Sequence, residues 1–124
     1  MLSDLEVYAT IPARDINRAR KFYTEKLGFT LESETPAGIT FRSKNSRFMV
    51  YPTLVAGTAQ HTLAGWQTGH LEQDVKDLRS RGIVFEEYDL PGLKTVNGIG
   101  TTGTSRAAWF KDSEGNVLGI FQMG

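Results

Sequence analysis

The 124-residue chain contains no cysteine. Disulfides, thiolate nucleophiles and Cys-ligated zinc sites are excluded with it. Histidine is nearly absent too, with only His61 and His70. A transition-metal site needs several His or carboxylate ligands that converge, and two histidines so placed do not suggest one. Nor do they allow a Ser-His-Asp arrangement to be argued. Charge of one sign does not dominate: 14 basic residues face 14 acidic ones. That balance argues against a nucleic-acid or anionic-membrane surface, which needs a concentrated basic field. No stretch approaches the roughly 20 apolar residues of a membrane span. The opening residues Met1 to Glu6 are too acidic, and too short in apolar run, for a secretory signal, so a cytoplasmic protein is expected.

What is present is ordinary in bulk, with 40% hydrophobic and 23% charged residues, as in globular proteins. The length fits one domain over residues 1–124, read as a first module, 1–56, and a second, 60–124. An internal repeat is the informative feature. Residues 15–29 and 70–83 are both polar-headed amphipathic helices closed by a glycine and followed by an apolar strand, about 55 residues apart. Either half alone would be marginal on surface-to-volume grounds, so the halves are expected to stabilise each other or a partner chain.

Leu5 to Ile11 reads as a strand that ends at Pro12. Asp15 reads as a helix N-cap, Ile16, Ala19, Tyr23 and Leu27 as the apolar stripe, and Gly28 as the C-terminal stop. Strands follow at 29–33, 39–42 and 47–51, giving β-α-β-β-β. The second half repeats the order: a strand at 63–68, a helix from His70 to Gly82, and strands at 83–86, 107–110 and 117–122. Glu72 with Lys76, and Asp77 with Arg81, are spaced as helical ion pairs. The stretch Tyr88 to Ser105 carries four glycines and Pro91 and reads as irregular, either a lid over a pocket or a plain connection.

Several features are decoys. Gly98-Ile99-Gly100-Thr101-Thr102-Gly103 matches a dinucleotide fingerprint, but it follows a loop and leads into a strand, not a helix. Its glycines are better read as turn formers. His70 aligns with Asp15, which assigns it a capping or surface role; His61 starts a strand and reads as structural or solvated. Glu86-Glu87 and Asp112 with Glu114 read as solvated charge, since general acid–base work needs a buried carboxyl.

The β-α-β-β-β repeat, the segment Ala9 to Asp15 leading into Phe22-Tyr23 and Leu27-Gly28-Phe29, and the ending Trp109 to Leu118 together resemble the glyoxalase, bleomycin-resistance and extradiol-dioxygenase superfamily, the vicinal oxygen chelate proteins. The resemblance covers essentially the whole chain. It implies an α+β fold of two paired βαβββ modules, whose mixed sheet curls into a cup with the helices outside, and it implies a homodimer. Metal enzymes of that family place ligands on the first and last strands of each module. The matching places here hold Tyr8, Met49, Leu63 and Gly119. None is an ordinary ligand for a hard or borderline divalent ion. The resemblance therefore implies a retained scaffold without the metal site.

Strand parity then assigns Tyr8 and Thr10, Met49 and Tyr51, Leu63 and Gln67, and Gly119 and Phe121 to the cup. Phe41, Tyr88 and Trp109 join them as aromatics on or beside strands. The expected cavity is apolar and aromatic with a few polar points, the composition of a small-molecule site. Gly119 is expected to leave space where a ligand carboxylate would project in the metal enzymes. The reading is a metal-free protein, without cofactor, that sequesters a hydrophobic or aromatic ligand, with antibiotics among the candidates. The alternatives are a lyase or dioxygenase using a divalent metal or a tyrosine acid/base, and an accessory protein whose cup its own side chains fill.

Overall fold

A computed structural model describes residues 1–124. The first half contains β1 (Ala9–Ala13), α1 (Ile16–Lys21), β2 (Thr30–Thr35), β3 (Gly38–Ser43) and β4 (Ser46–Pro52). The second contains β5 (Thr62–Gln67), α2 (Leu71–Ser80), β6 (Asp89–Leu90), β7 (Leu93–Val96), β8 (Ile99–Thr102), β9 (Ser105–Lys111) and β10 (Val117–Gln122). The fold is α+β. One sheet has the order β1-β4-β3-β2 and the other β5-β10-β9-β8-β7-β6. In each, the first strand of the half pairs in parallel with the last, while the remaining pairs are antiparallel. No helix is long and apolar enough to cross a membrane.

The first strand lies later than expected. Leu5 to Tyr8 fall outside it, and Pro12 lies within it, opposite Tyr51. Proline fits there because β1 is an edge strand, bonded only to β4, and needs no N–H on its free side. Asp15 caps α1 by accepting a hydrogen bond from the Arg18 N–H at 3.0 Å. The chain then runs into a π-turn, Phe22–Lys26, before Gly28 ends the helical path at φ +78°.

At α2 the cap position is His70, but its side chain caps nothing. Its ring faces Asp74 at 3.1 Å, while Gln122 Oε1 accepts the Leu71 N–H at 3.0 Å and so supplies the missing acceptor. The expected helical ion pairs give way to other partners: Glu72 pairs with Arg106, and Asp77 accepts from Gln73.

The largest departure is residues 83–105. Only Phe85 bridges to β9, opposite Phe110, where a full strand was expected. The ladder resumes at β8, with Ile99 opposite Ala108. The counterpart of β2 is thus split in two, and a hairpin is inserted between its pieces. Glu87 clamps the base of that hairpin, accepting hydrogen bonds from Thr95 Oγ1 and the Gly98 N–H. The stretch expected to be irregular is a strand meander that widens the second sheet. Its glycine-rich segment turns one hairpin and starts the next, consistent with its rejection as a dinucleotide site.

Sixteen buried side chains from both halves form one core cluster, so neither half packs alone. An aromatic seam runs through it, with Tyr23 stacked on Phe41 and Phe29 and Phe48 both against Trp66.

Candidate functional site

The second sheet turns one face toward the helices and core and the other outward. On the outward face, Trp109 of β9 sits in register opposite Gly119 of β10. A Cβ at Gly119 would lie 3.3 Å from Trp109 Cδ1, and one at Gly100 would lie 3.3 Å from Trp109 Cζ3. The indole therefore lies flat across the sheet, bedded on two glycines of the flanking strands. Phe121 repeats the device: a Cβ at Gly65 would come within 2.8 Å of its ring. Glycine is required at these positions by close approach, since a side chain would lift the ring off the sheet. Tyr88 meets the Trp109 ring edge-on at a centroid distance of 5.6 Å.

The Trp109 and Phe121 rings border a cavity of about 400 Å³ lined also by Thr62, Leu63, Gly65 and Gly119 among others. That volume lies within the range of small-molecule sites. Burial, and secondarily the charge of Glu86, pushes the Tyr88 hydroxyl above its ordinary value of 10.0.

Of the residues expected in the cup, the structure brings Leu63, Trp109, Gly119 and Phe121 into this cavity and sets Tyr88 against Trp109. Thr10, Met49 and Tyr51 lie apart, on the first sheet, with Thr10 beside Met49 in the ladder. Tyr8 precedes β1 and is 37% exposed. Gln67 lines a different cavity, of about 530 Å³, beside α2, with Trp66, His70 and Leu78. Phe41 is a correction: it is 0% exposed and stacks on Tyr23 and Phe48, because its position in β3 points it into the core. Gly119 lines the cavity, but the space expected directly above it is shared with the Trp109 indole.

The residues at the four places of the metal ligands do not fit a metal. Tyr8 and Met49 belong to the first half, Leu63 and Gly119 to the second, and together they offer one phenol and one thioether. No three His, Asp or Glu side chains converge into a group that could hold an ion.

The acidic turn before β10 was expected to be solvated and is buried instead. Asp112 accepts the Tyr23 hydroxyl at 2.6 Å, the Glu114 and Asn116 N–H groups at 2.9 Å each, and Asn116 Nδ2 at 2.9 Å. Asn116 Nδ2 also donates to the Pro12 carbonyl at 2.7 Å, and its Oδ1 accepts the Gly57 N–H. Glu114 takes a two-pronged bond from Arg18, at 2.7 and 3.0 Å, and the Asp15 N–H at 2.8 Å. Burial raises the Glu114 pKa, but the Arg18, Asp15 and Ser113 hydrogen bonds outweigh it and bring the carboxyl down to about 2. Burial, then the Asp112 charge, drives the Tyr23 hydroxyl well above 10.0. This turn latches the second half to the start of α1 and is fully occupied in doing so.

A family model described as the Glyoxalase/Bleomycin resistance protein/Dioxygenase superfamily matches residues 7–120. No curated protein matches the chain by sequence. Among solved structures, TnmS3, an antibiotic binding protein from Streptomyces sp. CB03234, aligns over 97% of this chain and 98% of its own with a TM-score of 0.72 and 22% identity. A glyoxalase/bleomycin resistance protein/dioxygenase from Alicyclobacillus acidocaldarius aligns over 96% and 91%, with a TM-score of 0.73 and 21% identity. UcmS2 aligns over 94% and 98%, with a TM-score of 0.73 and 17% identity. At these identities the likeness is one of fold.

Proposed function

The chain belongs to the Glyoxalase/Bleomycin resistance protein/Dioxygenase superfamily, and we propose that within it the protein binds a planar aromatic small molecule without a metal and without turning it over. The observation that carries this reading is the flat Trp109 indole on its glycine bed, facing an apolar cavity. A ring held flat offers its whole π-face to a ligand, and a good stacked or edge-on pair contributes about 0.5–1.5 kcal/mol beyond burial. Tyr88 supplies an edge-on neighbour to the indole. The description of TnmS3 as an antibiotic binding protein makes antibiotics a reasonable ligand class to test.

The metal-dependent alternative has no donor set at the family's positions. A tyrosine acid/base is disfavoured by the direction in which Tyr88 moves, since a phenol pushed upward is a poorer acid near neutral pH and is not ionised to act as a base. We also infer a homodimer. Leu2, Leu5 and Val7 at the N-terminal arm and Leu54 and Val55 after β4 are exposed, and a second copy would cover such side chains.

Two measurements test the reading. In NMR spectra, the Trp109 indole N–H should shift and saturate with a planar aromatic ligand from a natural-product panel. Gly119→Leu, which lifts the indole, should weaken binding about tenfold or more; unchanged affinity in that variant would contradict the platform. Elemental analysis of protein purified without chelators should find only traces of metal. Near-stoichiometric zinc, nickel, manganese or iron would overturn the metal-free reading.

A further inference from the structure

The inserted hairpin does more than widen the second sheet. Behind it, on the face opposite Trp109, it forms one wall of a groove whose other wall is α2. Glu72, Val75, Lys76 and Arg79 lie on one face of α2, at i, i+3, i+4 and i+7. Lys94 and Val96 of β7, Ile99 and Thr101 of β8, and Arg106, the cross-strand partner of Thr101, complete the lining. The cavity they enclose is about 710 Å³.

Its charge is lopsided. The chain has 14 basic and 14 acidic residues. This groove gathers four basic side chains, Lys76, Arg79, Lys94 and Arg106, against one acid, Glu72, a net of +3. Glu72 is committed to Arg106 at 2.5 Å. Lys76 and Lys94 are exposed and form no ion pair, although Asp89 lies opposite Lys94 in the ladder. Glu87 is turned onto Thr95 and Gly98. Arg79 is held in place, donating to the Asn97 carbonyl at 2.7 Å with its guanidinium 5.6 Å from the Phe85 ring centroid. Most of its N–H donors stay free, in the planar fork that suits phosphoryl oxygens. Between these cations lie Val75, Val96 and Ile99.

We propose that this groove is a second binding site, for a small organic phosphate. The phosphoryl group sits among Lys76, Arg79 and Lys94, and the apolar body rests on Val75, Val96 and Ile99. A dianion answers the net charge better than a monocarboxylate. The site is independent of the aromatic platform, which uses the opposite face of the same strands.

Titration of the isotope-labelled full chain with 1-naphthyl phosphate tests this. Backbone shifts at Val75, Arg79, Val96, Asn97 and Ile99 should saturate, and affinity should fall when salt rises from about 20 to about 200 mM. Lys76→Glu and Lys94→Glu, two exposed positions whose folded state the same spectra report, should each weaken binding about tenfold or more. Shifts that never saturate, shifts confined to Trp109 and Phe121, or charge reversal without effect would overturn the proposal. So would equal binding of uncharged 1-naphthalenemethanol. Tighter binding of a short single-stranded DNA at the same residues would replace it with a nucleic-acid surface.

Discussion

Glu114 shows how a single carboxylate ties distant parts of the chain together. Its partners Asp15 and Arg18 lie 99 and 96 residues away in sequence. Its ordinary pKa is 4.5, and in the folded protein it is about 2, so the folded state favours the ionised form. The stability this contributes is complete above pH 4.5 and is lost as pH falls through that value toward about 2. Urea titrations at a series of pH values should show the gap between wild type and Glu114→Gln closing across that window. Parallel curves would contradict the latch. At this scale the sequence was legible only in part. The Asp112 to Asn116 turn was recognisable as a turn, and Asp112 is held partly by its own turn, but the partners that bury the two acids, Tyr23, Asp15 and Arg18, sit in the other half. Gly119 differs in that its partner, Trp109, lies in the same half, on the neighbouring strand. A glycine looks like empty space until the register sets Trp109 opposite it.

Periodicity revealed both helices and the strands of the first half, with β1 displaced because proline is tolerated on a free edge. The inserted hairpin escaped notice although its signal was present. Asn97-Gly98 lies between Val96 and Ile99, and both turn residues have positive φ, 54° and 80°, the geometry of a tight two-residue hairpin. The glycine and proline content of the stretch pointed to a loop and masked that dipeptide. Gly98 also packs closely, since a Cβ there would lie 2.8 Å from Phe85 Cβ. Gly98→Ala should therefore destabilise the protein by about 1 kcal/mol or more, read as a lower urea midpoint. An unchanged midpoint would show that the hairpin is free to shift away from Phe85.

For the molecule as a whole, the repeat announced two like sheets, and the shared core explains why the halves depend on each other. The aromatic strand residues form one group in the sequence, but only their register separates Phe41, which lies in the core, from Trp109, which lies on the outward face. Parity alone could not tell that the outward faces of the two sheets would present different chemistry. Thr10, Met49 and Tyr51 lie on the first, and Trp109 and Phe121 lie flat on the second. What the proposed function rests on most is that Trp109 holds an aromatic ligand. Native mass spectrometry of the wild type and of Trp109→Ala, against a panel of planar aromatic natural products, tests it most directly, and the same spectra report whether the chain is a dimer. One ligand per chain should be retained on a wild-type dimer and lost in Trp109→Ala with the dimer intact. No retained ligand from the panel, or equal retention by both proteins, would contradict it.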